Sequence, residues 1–305
     1  MKRSWTKYSV TFLGVFLLII LVGRLWPRVL PEEAAGAEEP GPLSLELVEI
    51  LLVLLGVHCV ALFVATPSWR RRALYVTHVP WSAAGAAALF GAIIVGTVVV
   101  TEVAGLFIDV EESVTFKYLA GAGVALVVLP SFAVVLRERG ADAWRALGFA
   151  RHRFWRHVAV GVVAYFAFSF AAMPVLQPIV AAVLRWLGQA VKGHEGFDDY
   201  RATKSLGEHI AILGAITLAA PLLEEIIFRG VLFQTIKRYA GSAVAVVASA
   251  GIFAALHGTL FVIVNIFFLG LLFGYLFDRT GSIVPGIVLH FLFNATAAVA
   301  LLFGG

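Results

Sequence analysis

Apolar residues run along this chain in long unbroken windows, and the polar residues are gathered into short stretches between them. A membrane-spanning helix needs roughly 20 mostly apolar residues. Nine windows meet that condition, near 9–26, 43–66, 79–101, 115–136, 157–187, 208–236, 242–257, 259–277 and 282–303. The pattern predicts an all-α polytopic membrane protein with about eight to nine transmembrane helices. The first window follows MKRSWTK and is read as a helix rather than a signal peptide. Its only small-x-small cleavage candidate, Ala35 to Ala37, lies beyond Arg24, Pro27 and Arg28, far from the apolar run.

The stretches between windows alternate in charge: Pro- and Glu-rich 31–42, basic 68–74 with Arg70, Arg71 and Arg72, acidic 109–112, and Arg-rich 137–156. With Lys2, Arg3 and Lys7 inside, the arginine clusters and then Lys237 and Arg238 fall on the same side, as the positive-inside rule expects. This orientation puts the N-terminus in the cytoplasm and the C-terminus outside. Residues 188–207 fit it least, being external yet carrying Lys192, Arg201 and Lys204. The run RALGFARHRFWRHV also reads as a basic amphipathic helix lying in the interface. No internal repeat of fixed period is present.

Composition supports the same class. Of 305 residues, 61% are apolar and 14% charged, too little polar surface for a soluble globule. Mean hydropathy is +0.94. The net charge of +4 is clustered in loops, and no basic stripe interleaves with aromatics, so nucleic acid is not an expected partner. The single cysteine, Cys59, allows no intrachain disulfide and reads as a packing residue.

Within PLLEEIIFRGVLF, Glu224, Glu225 and Arg229 interrupt an otherwise apolar span. Each uncompensated ionisable group there costs on the order of 2.5 to 3.5 kcal/mol on insertion scales, so the three need partners. Glu225 and Arg229 are four apart, one turn along one face, and can pair. Glu224 is rotated by about 100° and faces something else. Two later helices offer candidates: Phe253 and His257 in FAALH, and His290 and Asn294 in HFLFN, each pair one turn apart on one face. At about 1.5 Å per residue, Glu224 lies roughly 18 Å from the cytoplasmic end, His257 roughly 22 Å, His290 roughly 12 Å and Asn294 roughly 18 Å. They occupy a common band.

Such a set suits hydrolysis of a peptide by activated water. A carboxylate takes the proton while an imidazole orients the water, roles for Glu224 and His257. An imidazole and an amide are both suitable donors to an oxyanion, roles for His290 and Asn294.

These residues carry a resemblance. EExxxR at Glu224, Glu225 and Arg229, FxxxH at Phe253 to His257, HxxxN at His290 to Asn294, and the run DRTGSIVPGIVLHFLFN resemble the CPBP family, which includes type II CAAX prenyl endopeptidases and Abi-like bacterial proteins. The resemblance covers about the last hundred residues. It implies a CPBP-like peptidase core over 201–305, with residues 1–200 forming transmembrane helices and loops of no recognised family. It also implies that Glu224 and His257 activate water, that His290 and Asn294 form the oxyanion hole, and that Glu225 and Arg229 support the site or touch substrate. The implied partners are membrane lipid and a protein or peptide substrate, lipidated in the CAAX-type case. The implied location is a bacterial plasma membrane.

Plainer and competing readings stand beside these. Glu225 and Arg229 also read as a structural ion pair, Phe253 as packing beside His257, and Gly270 with Gly274 as a close helix-packing face. Glu46 and Glu49 open the second window at the interface. His58 reads as a packing residue, and His78, His152, His157, His194 and His209 fall in or near loops without a role. No cofactor is required in the preferred reading. The first alternative is a zinc-dependent intramembrane metalloprotease with Glu224, His257 and His290 as ligands. A second is a non-catalytic membrane protein of bacteriocin immunity or peptide binding, and a transporter ranks last. There is no HExxH, serine elbow or Walker loop.

Overall fold

A computed structural model describes residues 79–106, 114–138, 140–149, 153–192 and 205–303. The predicted windows 9–26 and 43–66, the signal-peptide question, Cys59, His58 and Glu46 with Glu49 lie outside these residues. So do His78, His152 and His194.

The described chain is helical throughout, without a strand. Its elements are α1 (Ala83–Gly105), α2 (Val114–Glu138), the single turn α3 (Ala143–Ala146), α4 (Phe154–Trp186), α5 (Leu206–Ala255), α6 (Leu260–Thr280) and α7 (Val284–Phe303). Among the described residues five helices are long and apolar enough to cross a membrane, and α7 carries a shorter apolar stretch, Val284–Ala300. The predicted windows and the helices agree within a few residues. α5 spans two of them, 208–236 and 242–257, and it breaks where they meet, at Gly241 with φ 84° and ψ 171°. Only glycine takes such a conformation without strain. By length and composition the chain is an integral membrane protein, and its surface agrees: Val98, Leu126 and Val127 are 53%, 60% and 69% exposed while Glu225 and Arg229 are fully buried.

The chain divides into two compact units, Met1–Pro67 with Val163–Gly188, and Ser68–Val162 with Gln189–Gly305. Of the first, the described part is the later portion of α4. There the helix widens to a π-helical turn over Phe168–Ala172, and Tyr165, Phe166 and Phe170 pack their rings together.

The second unit holds everything needed for the site. α1 packs on α2, α2 on the first part of α5, and α6 on both the last part of α5 and α7. Ser82 caps α1 by accepting from the Gly85 amide, Thr259 caps α6, and Gly281 ends α6 in the left-handed conformation. The close-packing reading of Gly270 and Gly274 holds: a Cβ at either would lie 3.1 to 3.3 Å from the backbone of Ala250 or Val246 in the last part of α5.

One expectation is corrected. RALGFARHRFWRHV is not a single amphipathic helix, because α3 stops at Ala146 and Gly148 turns the chain with φ 89°. Arg153 has φ 63°, and a separate helix, α4, begins at Phe154. The turn docks inward: Gln234 donates to the Ala146 carbonyl at 2.8 Å and the Ile283 amide to Gly148 at 3.0 Å. These long-range bonds outweigh the amphipathic periodicity. His157, expected near a loop, is buried in the first turn of α4, and His209 lies in the first turns of α5.

Candidate active site

The site grows from a disturbed stretch of α5. Two π-helical segments, Ala215–Ala219 and Ile226–Phe233, flank the regular turns Ala220–Glu225. π-Helical turns in α-helices are uncommon and concentrate at functional sites. Here they bracket Glu224 and Glu225.

Glu225 and Arg229 pair as their spacing predicts, Arg229 Nη1 donating to Glu225 Oε1 at 2.9 Å, with both side chains fully buried. Arg229 Nη2 also donates to the Gly270 carbonyl on α6. Its guanidinium lies 4.5 Å from the ring centre of Phe253 and 4.7 Å from that of Phe273. Cation–π contact and the carboxylate together compensate a charge that the apolar surroundings would otherwise exclude.

Glu224 points elsewhere, and its side chain is 27% exposed. Its Oε2 lies 3.9 Å from His257 Nε2 and 3.8 Å from His290 Nε2. Both gaps exceed direct hydrogen-bond reach, and among the described residues Oε2 has no hydrogen-bond partner. His290 reaches both acids, since its Nδ1 lies 3.9 Å from Glu225 Oε1. His257 lies not within a helix, as its spacing from Phe253 predicted, but in the turn just past the end of α5, and the last turn of that helix orients it: Nδ1 is 2.7 Å from the Phe253 carbonyl. A carbonyl only accepts, so Nδ1 carries a proton, and Nε2 is the nitrogen turned toward Glu224. Phe253 packs beside His257 as expected, with ring centres 4.6 Å apart, and meets His290 edge-on at 5.9 Å.

Of the four residues expected to converge, Glu224, His257 and His290 do so side chain to side chain. Asn294 is held by backbone: its Nδ2 donates to the Ile216 carbonyl on α5 at 2.9 Å. Gly286 and Phe273 line the site without having been singled out in the sequence. A Cβ on Gly286 would collide with the Glu225 carboxylate. Phe273 stacks against Arg229 and lies 5.1 Å from His290. The quoted DRTGSIVPG run supplied the only hint of Gly286.

That run forms the α6–α7 turn. Asp278 accepts from Lys237 at 2.6 Å and from Ser242 at 2.9 Å, and the Ser282 hydroxyl accepts from the Val284 amide to start α7. Among the described residues no group of three or more His, Cys, Asp or Glu side chains is arranged to hold a metal ion.

A helical membrane core with a carboxylate and two imidazoles gathered inside it has the makings of a hydrolase. Residues 207–296 match the family model described as type II CAAX prenyl endopeptidase Rce1-like, which supports a CPBP family protease. All four expected residues and the Glu225–Arg229 pair lie inside that segment. No curated protein and no solved structure matched the chain.

Proposed function

We propose that the chain is an intramembrane endopeptidase that hydrolyses a peptide bond near the membrane with water activated by Glu224 and His257. The observation that carries the reading is the position of Glu224 Oε2, within 3.9 Å of two imidazole nitrogens in an apolar span. A water seated beside this group touches both the carboxylate and Nε2 of His257. Glu224 takes a proton as the water oxygen attacks the substrate carbonyl carbon. The tetrahedral oxyanion accepts from His290, whose proton must then sit on Nε2, and from an N–H of Asn294. Collapse breaks the C–N bond, and the proton passes to the leaving amine.

Glu225 and Arg229 support this set, with His290 against Glu225 and Arg229 held against the rings of Phe253 and Phe273. The Rce1-like match favours CAAX-type C-terminal processing of a lipidated protein or peptide, and the reading requires no cofactor. Loop charge supports a cytoplasmic N-terminus. Glu224→Gln tests the proposal on a quenched peptide ending in a lipidated CAAX sequence. The variant should insert and express as wild type with turnover lost; retained turnover refutes the reading.

A further inference from the structure

Asn294 and Ile216 are joined by a hydrogen bond whose cause lies in a third residue. Within Ala215–Ala219 the backbone runs in π register, and the Ala220 N–H donates five residues back, to Ala215. In regular α register that N–H would have gone to Ile216. In π register the donor for Ile216 would be residue 221, which is Pro221 and has no N–H. Neither register therefore supplies the Ile216 carbonyl with a donor, and a carbonyl left unpaired in an apolar span is costly. Asn294 Nδ2 fills the position at 2.9 Å.

We propose that Pro221 is a positioning residue for the reaction assigned above, on which this inference rests: it leaves the Ile216 carbonyl open as the anchor that orients the Asn294 amide. A primary amide carries two N–H groups, so anchoring one fixes the direction of the other without consuming it. The same anchor sets register. α5 and α7 run antiparallel, and three contacts follow one another along them: Ile216 with Asn294, Glu224 with His290, and Glu225 beside Gly286. A slip of one residue on α7 rotates His290 by about 100° away from Glu224.

The test is a double-mutant cycle of Pro221→Ala and Asn294→Ala in purified full-length protein, using the same quenched lipidated peptide, with Glu224→Gln beside it. Alanine restores an N–H at 221, which competes with Asn294 for Ile216. Pro221→Ala should lower kcat roughly three- to tenfold at unchanged KM, in line with one lost positioning hydrogen bond. In the Asn294→Ala background it should lower kcat no further. Thermal midpoints supply a readout independent of turnover: Asn294→Ala should lower the midpoint of wild type and leave that of Pro221→Ala unchanged. Wild-type kcat in Pro221→Ala, or midpoint losses that simply add, overturns the proposal. Turnover retained in Glu224→Gln instead refutes the peptidase reading, and the midpoint cycle still decides the anchor.

Discussion

Gly286 on α7 lies against the Glu225 carboxylate on α5 so closely that a single added carbon would occupy the same space. Glycine inside a helix normally weakens it relative to alanine by about 0.5 to 1 kcal/mol, so propensity alone favours Gly286→Ala. Packing says the reverse. The Cβ must push Glu225 from Arg229 or push α7 outward, and overpacking of this kind costs roughly 1 to 3 kcal/mol. We expect Gly286→Ala to lower the thermal midpoint in detergent and to reduce turnover. A stabilised, fully active variant would show that Glu225 has room to spare.

The windows that predict α1, α2, α4 and α7 were legible because a membrane helix needs only length and apolarity. Glu224, His257 and His290 were legible for a related reason: ionisable groups deep in apolar windows are few, and one-turn spacing with similar depth leaves few ways to arrange them. Asn294 was legible as a residue of interest, but its partner was not, since the open Ile216 carbonyl depends on a π turn that no periodicity announces. Gly286 escaped because its constraint comes from another helix. Residues 145–158 were misread for the same reason, their amphipathic pattern being overridden by the docking of 146–148 onto Gln234 and Ile283.

Arg229 is held by shape as well as charge, its guanidinium against the rings of Phe253 and Phe273, which stand at 78° to each other. Lysine keeps the charge but loses the stacking and the fork that serves both Glu225 and Gly270. Arg229→Lys should therefore fall well below wild type in both thermal midpoint and turnover. Arg229→Met strands a buried carboxylate, a loss of about 3 to 5 kcal/mol for a broken buried pair. The double variant Arg229→Met with Glu225→Gln should be more stable than Arg229→Met alone. Equal midpoints for the two would mean that the pair is not energetically coupled.

The distances around Glu224 also bear on zinc. Zinc bonds to His nitrogen and carboxylate oxygen are roughly 2.0 to 2.2 Å, and tetrahedral angles place such ligand atoms roughly 3.4 Å apart. Glu224 Oε2 stands 3.9 Å from His257 Nε2 and 3.8 Å from His290 Nε2, so a shared ion would draw these groups closer by roughly half an ångström. The same spacing suits a carboxylate and imidazoles working on a water held beside them. The water-activation reading expects turnover of the lipidated peptide to survive prolonged treatment with a strong zinc chelator, and metal analysis of active protein to give far less than one zinc per chain. Loss of turnover on chelation, restored by added zinc alone, would transfer the role of Glu224, His257 and His290 from proton handling to metal binding.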